Sequence, residues 1–132
     1  MSMTQTATAW APRVLSILRI MSGLLLLQHG TMKYFNFPPS DMFAGGLDVM
    51  MQAAGGIELV GGVLLVLGLL TRPVAFICSG FTAAAYFIAH APNGFFPATN
   101  FGEPAVLFCF VFLYIAAAGP GPWSVDAARA KA

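Results

Sequence analysis

His29 and Lys33 stand one helical turn apart at the end of a run of leucines, in LLLLQHGTMKYF (residues 24–35). Side chains four residues apart share a helix face, so an imidazole and an ammonium here present a proton acceptor beside a positively charged donor. Three further ionisable groups interrupt apolar sequence: Glu58 in GGIELVGG, His90 in IAHAPNG, and Glu103 ahead of Pro104. Imidazoles and carboxylates are general acid–base groups, and an ammonium donates to carbonyl oxygens. Each residue also has a purely positional reading. His29 and Lys33 could snorkel to headgroups, His90 near Pro92 could close a helix, and Glu103 before Pro104 fits a helix N-terminus. Glu58 is the hardest to dismiss, because an acid within an apolar run needs a partner.

The elements that would position these groups are membrane helices. The chain is 58% hydrophobic and only 8% charged, whereas soluble domains are about one-quarter charged. Apolar segments fall at about 12–35, 50–71, 73–91 and 103–118, each bounded by Pro, Gly or polar residues. A spanning helix takes about 20 largely apolar residues. The first two segments reach that length, the third is near the lower limit and the fourth is short. Short connections imply an all-α, antiparallel four-helix bundle of up-down-up-down topology, forming one membrane domain over residues 1–132. Arg13 precedes the first run like a signal-peptide n-region. Arg19 then interrupts the run, and it ends in Gln-His-Gly-Thr-Met-Lys rather than a small-x-small site, so it reads as an uncleaved helix.

Orientation follows from Lys and Arg. Arg13 and Arg19 flank the start of the first segment, Arg72 lies between the second and third, and Arg129 and Lys131 follow the fourth. Only Lys33 stands in the opposite set. Five against one places both termini in the cytoplasm, with 119–132 as a cytoplasmic tail too short to be a domain. The loops at about 36–49 and 92–102 then face outward, carrying Phe35, Phe37, Phe43, Phe95, Phe96 and Phe101.

With that orientation His29, Lys33, Glu58, His90 and Glu103 share one depth zone near the outer surface. Facing agrees with depth. Arg19, Ser22, Leu26, His29 and Lys33 form one helical stripe, and Thr82, Tyr86 and His90 repeat every four residues. Glu58 shares its face with Gly55 and Gly62, and small residues line close helix contacts in membranes. An outward-opening polar pocket at the top of a bundle is expected, floored by Glu58 paired with Lys33 or His29. Arg19 lies apart from it and could reach the cytoplasmic headgroups.

Other chemistries find little support. Cys78 and Cys109 lie alone in apolar runs, which describes buried, inert thiols. No CxxC or His/Cys cluster proposes a redox pair or metal site, and without CxxCH a bis-histidine haem is not expected. A net charge of +1 gives no reason to expect nucleic acid.

Four motifs in order resemble the DoxX family over about residues 13–126: QHGTMKYF, GGIELVGGVLLVLGLLTR, HAPNGFF with the later Glu103, and the closing GPGPWSVD. The resemblance implies a small four-helix protein of the bacterial inner membrane. Some members are linked to quinone-dependent sulfur oxidation or quinol oxidase complexes, and others to redox-stress resistance. It implies His29, Lys33, Glu58, His90 and Glu103 as the positions of interest. The second cysteine motif of thiol-active relatives is absent, which argues against thiosulfate or disulfide chemistry. Two functions follow as expectations: a redox-associated subunit that binds a quinone or quinol headgroup and needs a partner redox subunit, or a non-catalytic accessory or assembly subunit whose polar cluster is structural. A small-solute transporter is less compatible with four short helices. The Gly-rich second helix suits packing against a partner subunit or a second copy.

Overall fold

The computed structural model describes residues 1–131. Helix α1 runs from Met3 to Phe35. It begins nine residues before the first apolar segment because Ser2 caps it. Ser2 Oγ accepts from Gln5 N at 3.1 Å, and Gln5 Oε1 accepts from Ser2 N at 2.8 Å. This reciprocal capping satisfies two donors that would otherwise be orphaned. The helix carries Pro12 in its interior and stops at Asn36 in the left-handed region.

Helix α2, Val49–Leu67, is capped by Asp48, whose Oδ1 accepts from Met51 N at 2.8 Å. It ends four residues earlier than its hydropathy suggests. Gly68 adopts φ +69°, and its N–H returns to the carbonyls of Leu64 and Leu65. A glycine in this conformation closes a helix whatever apolar residues follow. Helix α3, Thr71–Ala85, continues through a π turn, Tyr86–His90, and a 3-10 turn, Ala91–Asn93. A single turn, α4 (Pro97–Asn100), precedes α5, Glu103–Ala118, and α6, Val125–Ala130, lies in the tail.

Helices α1 and α2 run antiparallel in close contact. A Cβ on Gly30 would lie 2.8 Å from Leu59 N, and one on Gly62 would lie 2.9 Å from Leu27 N. Such backbone approach is available only to residues without side chains. Helix α3 pairs with α5, where Ser79 Oγ donates to the Cys109 carbonyl at 2.7 Å. The two pairs meet around Leu26, Leu65, Ala75, Cys78, Phe112 and Ile115, contributed by all four long helices.

Many large apolar side chains point outward instead, among them Leu24, Leu25, Val60, Phe76, Ile77, Leu107 and Phe110. Three stretches, Met3–Phe35, Val49–Leu67 and Thr71–Asn93, are long and apolar enough to cross a bilayer, and α5 is a shorter apolar helix of 16 residues. An apolar exterior around a core holding several polar groups is the arrangement a lipid solvent requires. This is an integral membrane protein.

Candidate functional site

Lys33, in the last turn of α1, donates from Nζ to Glu58 Oε1 at 2.6 Å. It is the one ion pair among the described residues. Of the two basic residues weighed as partners for Glu58, the carboxylate meets Lys33. The glycines place it: Gly55 lies against Lys33 and Tyr34, and Gly62 against Leu27, so the helix axes approach closely on either side of Glu58. The Lys33 and Glu58 side chains are 10% and 6% exposed. Above them the 3-10 turn Asp41–Phe43 sets the Phe43 ring 5.3 Å from Nζ, within cation–π range. Two Nζ protons and Glu58 Oε2 have no hydrogen-bond partner among the described residues.

The other expected site residues take separate positions. His29 is half-buried and sets its ring edge-on to Phe108 of α5 at 6.5 Å. His90 is drawn into the loop after α3, with Nδ1 3.0 Å from the Asn100 carbonyl and its ring stacked on Tyr86. A bond to a carbonyl requires Nδ1 to be the donor. Glu103 is exposed in the first turn of α5, where a carboxylate complements the helix dipole. Contact therefore joins Lys33 with Glu58 and does not join either histidine or Glu103 to them. No three His, Cys, Asp or Glu side chains among the described residues gather as a metal site.

Sequence reasoning passed over Asn100, which is only 2% exposed. Its Nδ2 donates to Tyr86 Oη at 3.1 Å and to the Gly94 carbonyl at 2.7 Å, and its Oδ1 accepts from Gly102 N at 2.8 Å. Tyr86 Oη in turn donates to the Phe95 carbonyl. This knot ties residues 94–102 to the end of α3 and orients His90.

The opposite end is more tightly built. Arg19 does not reach headgroups; it is 0% exposed. Its Nε donates to the Leu65 carbonyl at 2.8 Å, Nη2 to Trp123 at 2.7 Å, and Nη1 to the Pro120 carbonyl. The tail is consequently folded onto the bundle. Ser16 Oγ accepts from Trp123 N at 3.1 Å, and Asp126 accepts from Leu70 N at 3.0 Å and Thr71 N at 2.9 Å, capping α3 from a distant part of the chain. Partial burial pushes the Asp126 carboxyl up, but the N–H groups of Thr71 and Leu70 and the nearby Arg129 outweigh it and hold it below the ordinary range. The available signal was Arg19 itself: a guanidinium in an apolar run needs several acceptors, and GPGPWSVD supplies carbonyls that no regular helix occupies.

Comparison with known proteins places the chain. The DoxX family model matches residues 14–91. An uncharacterized protein of Haemophilus influenzae is 43% identical over 122 residues, covering 89% of this chain and 91% of that protein. Inner membrane protein YqjF of Escherichia coli is 26% identical over 121 residues, covering 83% of this chain and 87% of that protein. No solved structure matches. A family match over more than half of the chain, together with a relative this similar across nearly its whole length, shows that the protein belongs to the DoxX family.

Proposed function

We propose that this DoxX protein is a redox-associated subunit of the bacterial inner membrane that holds a quinone-type headgroup at Lys33 and Glu58. The inner-membrane assignment is supported by the similarity to a protein named for that membrane. The distribution of Lys and Arg supports cytoplasmic termini and an up-down-up-down passage of α1, α2, α3 and α5, in one domain, with the Lys33 end outward.

The observation that carries the ligand reading is the unfilled bonding capacity of a nearly buried pair. Lys33 can donate two further hydrogen bonds, and Glu58 Oε2 can accept. A quinol presents hydroxyl donors to the carboxylate and oxygen acceptors to the ammonium, matching both. Oxidation of a quinol to a quinone releases two protons and two electrons: Glu58 receives one proton, the other leaves to the outer aqueous phase, and a partner redox subunit takes both electrons. His29 and His90 border the same end of the bundle as further proton acceptors, and Glu103 lies at its exposed rim.

A second reading is favoured by the direct 2.6 Å contact. A closed Lys–Glu pair locks two helices together, as an accessory or assembly subunit would require. Mass spectrometry of gently purified protein separates the two. Quinone should co-purify with the unaltered chain and be lost from Glu58→Gln while the protein remains inserted. A chain that carries no quinone and loses stability in Glu58→Gln would establish the lock instead. Reporter fusions at the C-terminus and within residues 92–102 should report opposite compartments, with the C-terminus cytoplasmic; the reverse would invert the site.

A further inference from the structure

The charges of this protein are sorted by end. Arg13, Arg19, Arg72, Arg129 and Lys131 lie at one end with a single acid, Asp126; Lys33 lies at the other with Asp41, Asp48, Glu58 and Glu103. At the basic end Asp126 is committed to the amides of Leu70 and Thr71. Arg19 is consumed by backbone carbonyls. Arg13, Arg72, Arg129 and Lys131 remain exposed.

Depth puts Arg13 at a membrane boundary, and Arg72, Arg129 and Lys131 lie at the same end. Counting back from Lys33 along α1, about 20 residues at about 1.5 Å each cover a hydrocarbon thickness of about 30 Å, and that reaches Arg13. Arg19 lies about 9 Å inside that boundary by the same rise, too deep to serve a headgroup. Trp10 and Trp123, 49% and 50% exposed, lie at the same end, and the Arg13 guanidinium sits 5.1 Å from the Trp10 ring. Amphipathic rings of this kind settle at the headgroup level.

Arg72 has the geometry of a headgroup ligand. Its Nη1 donates to the carbonyl of Ala116 at 3.1 Å and to that of Ala117, at the C-terminus of α5. The guanidinium is thereby held in place, while Nε and Nη2 have no acceptor among the described residues. Two parallel N–H donors on a fixed plane match a phosphate edge.

We propose that this end of the protein is a binding surface for anionic phospholipid, with Arg72 as the bidentate phosphate contact and Arg13, Arg129 and Lys131 as the surrounding charge. The surface is separate from the Lys33–Glu58 pair and stands whether or not that pair binds a quinone.

The test is native mass spectrometry of the full chain in micelles doped with equal phosphatidylglycerol and phosphatidylcholine of identical acyl chains. Phosphatidylglycerol should be retained at least about 5-fold over phosphatidylcholine, as one basic contact near a charged surface gives. Arg72→Gln should remove most of that preference. Arg72→Lys, which keeps the charge and loses the fork, should fall between, and an Arg129→Gln, Lys131→Gln double variant should reduce it less. Should Arg72→Gln fail to fold, because α5 loses its anchor, the lysine variant and the tail variant decide. Equal retention of both lipids by the unaltered chain overturns the proposal, as does a preference unchanged in every variant that folds. Inorganic phosphate added as competitor should leave the bound lipid in place; its displacement would identify a soluble-phosphate site instead.

Discussion

At the Lys33 end a buried cation is matched by one carboxylate across one helix–helix contact; at the Arg19 end a buried cation is matched by three carbonyls from α2 and from the tail. Both arrangements remove a charge from lipid, and they fail differently. An ion pair is undone by altering either partner, and its remaining bonding capacity leaves room for a ligand. A guanidinium held by backbone carbonyls has no partner side chain to mutate, and it binds distant parts of the chain into one unit. The first arrangement suits a site, and the second suits a fastener.

The largest effect should therefore come from Arg19→Gln. Loss of the guanidinium strands the carbonyls of Leu65, Pro120 and Trp123, at roughly 1–3 kcal/mol for each buried group left unsatisfied. The variant should accumulate poorly, and its tail should be cut by protease in detergent when that of the unaltered protein is not. A protected tail would break the contrast between the two ends.

Next in size is the ion pair. Removing one member of a fully desolvated pair costs on the order of 3–5 kcal/mol, an upper bound for a pair that keeps slight exposure. A double-mutant cycle combining Glu58→Gln with Lys33→Met should show strong coupling in thermal denaturation. The corresponding cycle with His29→Gln should be additive, because His29 faces Phe108. Additivity in both cycles would mean that Lys33 and Glu58 are neighbours without energetic consequence.

A smaller effect sharpens the fastener. Because Asp126 is held below the ordinary carboxylate range, its contribution to stability is complete above its unfolded pKa of about 3.9 and is lost as the pH falls through the depressed folded value. In a Trp10→Phe background, Trp123 fluorescence should change as the pH is lowered below about 4. Asp126→Asn should give that altered signal already at neutral pH. A pH-independent signal in the unaltered chain would mean that Asp126 does not hold the tail.

Least of all should follow from Cys78→Ala with Cys109→Ala. Cys78 packs in the core against Gly61, so only a packing loss of about 1 kcal/mol is expected. Loss of function in a folded, inserted double variant would mean that thiol chemistry operates after all.

Much of this was legible in the residues. The four apolar segments, the Glu58 face shared with Gly55 and Gly62, and the gathering of five of the six basic residues at one end all follow from periodicity and composition, because lipid penalises any misplaced polar group. The tail was not legible. Six residues of α6 have no membrane-scale hydropathy, and the Asp126 cap on α3 joins positions 55 and 56 apart in sequence. The start of α1 also escaped hydropathy, since Ser2 and Gln5 cap a polar turn that no apolar pattern marks.

By itself the sequence determined that this is a membrane protein of paired helices with a carboxylate requiring a partner, because hydropathy, glycine spacing and the cost of an unpaired charge are local properties. Tertiary structure alone decided which partner. His29 and Lys33 lie on one stripe of α1 and were equivalent by spacing, but the packing of glycines between α1 and α2 turns Lys33 to Glu58, while α5 receives His29. It also decided that Arg19 binds the returning tail rather than the membrane surface. Three carbonyls held at the apex of a fold are a feature of the closed chain and of no single segment within it.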